Sequence, residues 1–298
     1  GIDLGSTTAK VVLINDKDEI LYAAYSRHNT RIVETLQELL TSILNKDGDL
    51  SVQITLCGSA AMGIAEKTGA SFVQEVVACG TVAKKKYPGI KSLIDIGGED
   101  AKLVLFHDRK KPDIRMNGNC AGGTGAYIDQ MATLLNVDVS DLNELAVNAK
   151  NTYPVASRCG VFAKTDIQHL ISRKAGIEEI AASIFEAVAS QIINSLARGC
   201  TIEAPVLFCG GPLAYSDYLR DVFLKELKIE ISDSFLPPQA ELFTAFGAAV
   251  CCRPDQNPVL LSEFINKLKQ NQKITRTENS LKPLFTDGQE FFTWENER

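Results

Sequence analysis

The sequence predicts an α/β protein with two related lobes, and two patterns support this prediction. Apolar runs typical of strands alternate with stretches in which apolar residues recur every three or four positions, as in helices. In addition, GIDLGSTTAKVVLI at residues 1–14 is echoed by IDIGGEDAKLVLF at residues 94–106. Each segment is typical of a strand, a glycine turn and a returning strand. Two lobes that each contain one such hairpin would explain the echo.

The signals of the first half follow in a regular order. After the opening hairpin, the turn at 16–18 leads into a strand at 19–26. A helix at about 31–45 is indicated because Ile32, Leu36 and Leu40 share one face. The remaining predicted elements of this half are a strand at 52–58, helices near 60–69 and 74–86, and the second hairpin.

The second half is richer in helices. Its predicted elements are helices at about 124–136 and 140–149, a helix from Cys159 to about 172, a long amphipathic helix at 177–198, a buried strand at 204–211 and a helix at 240–252. From Arg253 onward the sequence is polar and irregular, which predicts a tail or linker. We therefore assign residues 1–90 with 240–252 to lobe I, 91–239 to lobe II, and 253–298 to the tail.

Composition excludes several classes of protein. The net charge of −6 argues against nucleic-acid binding, and the short basic run at 84–86 is interpreted as a solvated face. No apolar stretch approaches the roughly 18 residues that cross a bilayer, and no signal peptide is recognised. We expect a cytoplasmic protein whose eight cysteines are thiols or metal ligands. Gly1 stands where an initiator methionine would be, so we expect part of a longer product.

The two hairpins have the chemistry of a phosphate and magnesium site. Asp3 and Asp95 end their strands, and each precedes a glycine turn whose backbone amides can approach an anion. Carboxylates at these positions can hold a hydrated Mg²⁺ between phosphates and position the attacking water. A third glycine turn, at 210–212, could accommodate a nucleoside. The alternative is that these are ordinary hairpin turns.

These motifs resemble those of a known superfamily. GIDLGSTTAK, QEVVACGTVA, IDIGGEDAK and VLFCGGPL are similar to the phosphate-1, connect-1, phosphate-2 and adenosine motifs of actin, sugar kinases and heat-shock chaperone ATPases. The resemblance implies two RNase H-like lobes with a nucleotide cleft between them. It assigns Mg²⁺ and water to Asp3 and Asp95, and places Glu75 near the water. The implied ATP or ADP ligands are Gly5, Ser6, Thr7, Thr8, Lys10, Gly97, Gly98, Asp100, Gly210, Gly211 and Pro212.

Two cysteines stand where helices begin. Cys120 precedes the glycines of NGNCAGGTGAYIDQMA, and Cys159 precedes Gly160 in YPVASRCGVFAKTDIQ. The positive end of a helix favours the thiolate that metals require, so these two cysteines suggest a shared metal site. The alternative is that both are small buried residues. That role is favoured for the other six, which lie in apolar segments: Cys57, Cys79, Cys200, Cys209, Cys251 and Cys252. His28, His107 and His169 are assigned to surface or packing roles.

Together with the ATPase motifs, both cysteine segments resemble the BadF/BadG/BcrA/BcrD family, and in particular its 2-hydroxyacyl-CoA dehydratase activators. The resemblance covers about residues 1–252 and implies that Cys120 and Cys159 ligate a 4Fe–4S cluster. Four thiolates then require two chains, so we expect a homodimer with one cluster. Glu99 departs from the family pattern, which more often has glutamine. The long tail resembles the linker of large activators, of which this chain would be the N-terminal module.

The resemblance implies an ATP-dependent one-electron donor that works anaerobically. A ferredoxin or flavodoxin would reduce the cluster. The electron would pass to an iron–sulfur dehydratase or reductase acting on CoA thioesters, or to a double-cubane cluster protein. A sugar or amino-sugar kinase of the same superfamily is the first alternative, although the sequence offers no convincing sugar-binding cluster. A chaperone-like or sensory ATPase is the second.

Overall fold

Two five-stranded sheets organise the chain in the computed structural model, which describes residues 1–108, 111–117, 122–252, 256–270, 284–285 and 287–297. The strands are β1 (Ile2–Leu4), β2 (Thr8–Ile14), β3 (Ile20–Arg27), β4 (Ser51–Val52), β5 (Thr55–Cys57), β6 (Ser71–Phe72), β7 (Ser92–Ile96), β8 (Ala101–Leu105), β9 (Asp113–Asn117), β10 (Val206–Cys209), β11 (Ser234–Phe235) and β12 (Val259–Leu260). The helices are α1 (Ile32–Asp47), α2 (Met62–Thr68), α3 (Glu75–Lys86), α4 (Gly125–Leu135), α5 (Leu142–Val147), α6 (Gly160–Ser172), α7 (Ile177–Ile192), α8 (Gly211–Tyr215), α9 (Asp217–Leu227), α10 (Phe243–Val250), α11 (Leu261–Gln270) and α12 (Gly288–Asn296).

The two sheets repeat one arrangement of strands. The first has the order β3-β2-β1-β5-β6, and the second has β11-β10-β7-β8-β9. In the first, β1 pairs antiparallel with β2 and parallel with β5. In the second, β7 pairs antiparallel with β8 and parallel with β10. The predicted hairpins therefore occupy equivalent central positions, and the predicted α/β class is confirmed.

Helices α3 and α10 lie between the sheets. Cys79, Val82 and Ala83 of α3 share a buried cluster with Leu93 and other residues of the second sheet. Helix α10 packs against α3 and also against β1, β2 and β5 of the first sheet. The two helices therefore connect the predicted lobes, whose boundaries stay a prediction.

Helix α7 is a core helix. It continues as one π-helical turn at Ile193–Ala197, and the combined helix is apolar and long enough to cross a membrane. This corrects the expectation that no stretch of the chain has that length. Its apolar residues pack in the core of the second lobe, where α5 and α9 lie against it.

The segment predicted as an irregular tail contains a packed helix. In α11 the spacing i, i+3, i+4, i+7 puts four buried side chains on one face, and they complete the first core: Leu261, Phe264, Ile265 and Leu268. Strand β12, just before α11, pairs antiparallel with β4. The prediction is therefore wrong for residues 259–270, since their mean polarity concealed a strong helical periodicity.

Other features differ from the sequence interpretation. Strand β9 and helix α9 were not predicted, and the strand expected at 52–58 is divided between β4 and β5. The basic run is exposed, as predicted, and it also forms ion pairs. Lys85 and Lys86 pair with Asp18 at 2.7 and 3.2 Å, and their hydrogen bonds lower the pKa of its carboxyl group.

Candidate functional site

The two glycine turns are closed in the same way. The amide of Gly5 donates to the carbonyl oxygen of Thr8 at 3.0 Å, and the amide of Gly97 donates to that of Asp100 at 2.8 Å. Within the described residues, the amides in the middle of both turns, those of Ser6, Thr7, Gly98 and Glu99, have no hydrogen-bond partner. A Cβ atom on Gly98 would clash with the side chain of Thr7. The turns thus face each other and offer unpaired donors suited to phosphate.

A glycine at the end of a neighbouring parallel strand makes room for each aspartate. Gly58 and Gly210 have φ of 105° and 90°, a region that favours glycine. A Cβ atom on Gly58 would lie 2.7 Å from Asp3 Oδ1, and one on Gly210 would lie 2.6 Å from Asp95 Oδ1. Both positions therefore need glycine for conformation and for space. The duplication predicted from the hairpins extends to these strands.

The first aspartate is paired with a lysine across its hairpin. Lys10 Nζ lies 2.7 Å from Asp3 Oδ2, and Asp3 is 3% exposed. Burial acts to lower the pKa of Lys10, but the charge and hydrogen bond of Asp3 raise it overall. Asp3 Oδ1 is buried and has no hydrogen-bond partner. A buried carboxylate oxygen without a partner fits the expected position of a hydrated cation.

The second aspartate belongs to a larger buried charge cluster around Lys102. Lys102 Nζ lies 2.5 Å from Glu75 Oε2, 3.0 Å from Asp100 Oδ2 and 3.6 Å from Asp95 Oδ2. The lysine and Asp95 are each 3% exposed. Burial alone would lower the pKa of Lys102, but the three carboxylates hold it well above its usual value. Burial raises the pKa of Asp95 and of Glu75, against the opposing charge of Lys102.

Lys102 is a site residue that the sequence analysis missed, although Lys10 was included. Each is the cross-strand partner of an aspartate in its hairpin. The internal repeat, in which the second hairpin follows the first by 92 positions, could have identified Lys102. Lys102 follows Asp95 by the same interval as Lys10 follows Asp3. In the part of the chain that the structure describes, no group of three or more acidic, cysteine or histidine side chains forms a ready metal site. The predicted carboxylates are brought together, but lysines neutralise them.

A cleft of about 510 Å³ opens beside the two turns. Seven predicted nucleotide residues line it: Thr7, Thr8, Lys10, Gly97, Gly98, Gly211 and Pro212. Its other walls come from distant elements and include Tyr25, Arg27, Ile128, Asp129, Asn143, Phe185 and Tyr215. Gly5, Ser6, Asp100 and Gly210 belong to the adjoining turns and are not part of the wall. An aromatic and aliphatic wall beside free amides can hold a nucleobase and phosphates together.

Helix α4 is attached directly to the second turn. The amide of Gly125 donates to the carbonyl oxygen of Gly97 at 3.0 Å, and that of Ala126 donates to Gly98 at 2.7 Å. These are the first two residues of the helix, whose amides have no partner within it. The second turn and the start of α4 are therefore joined through main-chain atoms.

The start of α4 also meets the start of α6. Cys159 precedes α6 in extended conformation and is partly exposed. A Cβ atom on Gly160 would lie 3.2 Å from Gly122 Cα and 3.5 Å from a ring atom of Tyr127. Two helix ends with positive partial charge therefore lie side by side. The other predicted ligand, Cys120, is outside the described residues.

The remaining cysteines differ in burial, and Cys251 and Cys252 are half-buried rather than buried as predicted. Cys57, Cys79 and Cys209 are buried as predicted, and burial raises the pKa of each thiol. Cys200 is not packed in an apolar segment as expected: it is exposed, and its Sγ accepts a hydrogen bond from Arg115 at 2.9 Å. His28 is buried and contacts the first glycine turn.

Comparisons with known proteins agree with this geometry. A model of the BadF/BadG/BcrA/BcrD ATPase family matches residues 1–252. The chain is 31% identical over 264 residues to the (R)-2-hydroxyglutaryl-CoA dehydratase activating ATPase of Acidaminococcus fermentans, a match that covers 84% of this chain and 95% of the relative. It is 30% identical over 257 residues to the 2-hydroxyisocaproyl-CoA dehydratase activator of Clostridioides difficile, covering 84% and 92%.

Solved structures are similar as well. The activator of the 2-hydroxyisocaproyl-CoA dehydratase from Clostridium difficile with bound ADPNP has a TM-score of 0.74 and 26% identity to this chain. The match covers 92% of this chain and 98% of that one. These similarities confirm the predicted α/β fold, which this chain shares with solved dehydratase activators.

Proposed function

Because this chain belongs to the BadF/BadG/BcrA/BcrD ATPase family, we propose that it is an ATP-dependent activator that delivers one electron to a partner enzyme. The observation that carries the proposal is the pair of hydrogen bonds from Gly125 and Ala126 to the second glycine turn. They connect the turn that would bind phosphate to the helix that follows Cys120. A nucleotide can then influence the environment of the cysteines through the backbone alone.

The nucleotide would bind with its phosphates between the two turns. The unpaired amides of Ser6, Thr7 and Gly98 supply donors, and Lys10 supplies a positive charge. Mg²⁺ supplies charge neutralisation of the phosphates when bound, and Asp3 and Asp95 would hold its hydration shell. Since Lys102 pairs with Glu75, we assign Glu75 to the orientation of water rather than to removal of its proton.

A 4Fe–4S cluster fits the helix ends as far as they are described. Cys159 lies at a helix N-terminus, partly exposed, and Gly160 approaches the segment that follows Cys120. We propose that Cys120 and Cys159 of two copies supply the four thiolates, with one cluster per homodimer. When bound, the cluster supplies the one-electron redox chemistry. The thiolates hold it and the helix dipoles favour added negative charge.

ATP would act by favouring one arrangement of the lobes over the other. Turn 97–100, α4 and Gly122 form a continuous path from the cleft to α6. A nucleotide that draws the two turns together would therefore also move both helix ends. The electron would come from a ferredoxin or flavodoxin. It would go to an iron–sulfur dehydratase or reductase acting on a CoA thioester, or to a double-cubane cluster protein, in an anaerobic cytoplasm. The sugar kinase alternative has less support, because the relatives of named function are dehydratase activators and a subunit of benzoyl-CoA reductase.

The rate of iron release tests this proposal. The chain is purified or reconstituted without oxygen, and cluster formation is followed by the broad absorption near about 400 nm of thiolate-ligated iron. Chelation by bathophenanthroline is then timed without nucleotide, with ADP and with a non-hydrolysable ATP analogue. Coupling predicts that the rate with the ATP analogue differs from the rate with ADP. Equal rates in all three samples would contradict coupling, and absence of iron would contradict the cluster.

A further inference from the structure

His28 is attached to the first glycine turn by its side chain and its backbone. It follows the last residue of β3, and only 2% of it is exposed. The ring Nε2 lies 3.0 Å from the carbonyl oxygen of Gly5, and the amide of Thr30 lies 3.1 Å from the ring Nδ1. The amide of His28 donates to the carbonyl oxygen of Thr7 at 3.2 Å. Two residues of the turn are therefore bonded to one histidine.

These contacts define the tautomer of the ring. The Thr30 amide can only donate, so Nδ1 must be the unprotonated acceptor. The neutral ring then carries its proton on Nε2 and donates it to the carbonyl oxygen of Gly5. Since the Gly5 amide already donates to Thr8, both polar groups of Gly5 are engaged. The following amides, of Ser6 and Thr7, are left without partners in the described part of the chain.

The backbone after His28 is held in an uncommon conformation. Asn29 and Thr30 have φ of 44° and 67°, in the left-handed region that a β-branched residue such as threonine rarely adopts. This conformation brings the Thr30 amide to the imidazole. Such strain persists where surrounding contacts determine the conformation, and it is concentrated at functional sites.

We propose that His28 is a positioning residue of the nucleotide site. By fixing the carbonyl group of Gly5, it keeps the amides of Ser6 and Thr7 available for phosphate oxygens. This inference rests on the proposed nucleotide cleft and adds a residue to it. If His28 only filled space, any side chain of similar volume would replace it without a selective effect on phosphate binding.

Three substitutions separate the two hydrogen bonds of the ring. His28→Gln places an amide nitrogen at about the reach of Nε2 and can still donate to Gly5. His28→Asn places an amide oxygen at about the reach of Nδ1 and can accept from Thr30, but it does not reach Gly5. His28→Leu fills the volume without either bond. The dissociation constants of ATP, ADP and adenosine are measured for each folded variant, with circular dichroism to confirm folding.

In the Asn and Leu variants, loss of the hydrogen bond to Gly5 should raise the dissociation constants of ATP and ADP by roughly tenfold. This is the usual effect of one buried hydrogen bond. Adenosine affinity should stay unchanged, and the Gln variant should bind all three ligands within about threefold of wild type. Equal losses for adenosine and ADP, or an unaffected Leu variant, would overturn the positioning role. The Gln and Asn pair decides the question if the Leu variant does not fold. Wild-type protein that binds neither ATP nor ADP would instead overturn the nucleotide cleft itself.

Discussion

Arg27 and Asp129 form a two-point ion pair, at 2.7 and 3.2 Å, between β3 of the first sheet and α4 of the second lobe. Both residues line the cleft, so the pair crosses it. The hydrogen bond and charge of Asp129 raise the pKa of the guanidinium group, against a smaller effect of burial. Arg27 is also the neighbour of His28, which contacts the first glycine turn.

We predict that this pair stabilises one arrangement of the lobes. Arg27→Ala and Asp129→Ala should each change ATP affinity by about two- to fivefold, since a pair this exposed is worth about 0.5–1 kcal/mol. The double variant should match the single variants, because either change removes the same interaction. A double-mutant cycle on ATP binding checks this. Additive effects of the two changes would show that the residues act independently.

Asp95→Asn should bind nucleotide almost normally but lose ATP hydrolysis. The neutral amide fills the same buried space beside Gly210 but cannot hold the hydration shell of a cation. We expect a fall in turnover of about a hundredfold or more, with a dissociation constant for ADP within about threefold of wild type. Asp108→Asn, at an exposed carboxylate away from the cleft, is the matched control. Normal turnover in Asp95→Asn would remove this residue from the catalytic site.

Lys102→Met should destabilise the fold in a pH-dependent way. Removing the buried ammonium leaves three carboxylates without their counter-charge, which costs about 3–5 kcal/mol of unfolding free energy at pH 7. Burial then raises the pKa of Glu75 and Asp95 further, so the native state binds protons more readily than the unfolded state. The variant should therefore regain stability as the pH falls from 7 toward 5.

Urea unfolding at both pH values measures this effect. Lys91→Met is the control, because Lys91 pairs with an exposed carboxylate and should contribute less than about 0.5 kcal/mol at either pH. The assigned charge cluster would be contradicted if Lys102→Met lowered the free energy of unfolding only slightly, or by the same amount at pH 5 and pH 7.

Cys159→Ala should prevent cluster retention and dimer formation together. If two cysteines from each copy hold one cluster, wild-type protein should contain about four irons per two chains. The variant should lose the absorption near about 400 nm and elute as a monomer. Cys251→Ala, which changes a partly buried cysteine outside the proposed site, should keep both iron and dimer. Four irons in a single monomeric chain would contradict the shared site.

Phe264→Ala should destabilise the first lobe although it lies in the segment predicted as a tail. Phe264 is 2% exposed and packs in the core beside α1. Its truncation should lower the free energy of unfolding, measured with urea, by about 3–5 kcal/mol, as is usual for a buried phenylalanine. Lys269→Ala, on the exposed face of the same helix, should change stability by less than about 0.5 kcal/mol. Similar values for both variants would show that α11 is not part of the folded unit.

The sequence predicted those parts of the fold in which local patterns agree with the final packing. The hairpins around Asp3 and Asp95 were predictable because strand, turn and returning strand are contiguous and occur twice. Helix α11 was missed because its four buried residues are separated by polar ones, and the average polarity of the segment was given more weight than its periodicity. The helical periodicity of its apolar residues, one turn every 3.6 positions, would have identified the helix.

The site was less predictable where it depends on contacts across the chain. The role of His28 depends on the placement of Gly5, 23 positions away, and that of Arg27 on Asp129, 102 positions away. No local pattern encodes such pairs. Lys102 differs from His28 and Arg27, because the internal repeat indicated its position. An alignment of the two hairpins would have been sufficient to identify it as a site residue.

The bonds from Gly125 and Ala126 to the second turn join main-chain atoms only. A linkage of this kind is almost independent of which side chains the helix carries, so substitutions along the rest of α4 do not remove it. If the proposed coupling holds, the surface presented to a partner could diverge during evolution while the connection between the turn and the helix is kept. Relatives that act on different partner enzymes could then share one nucleotide-dependent mechanism.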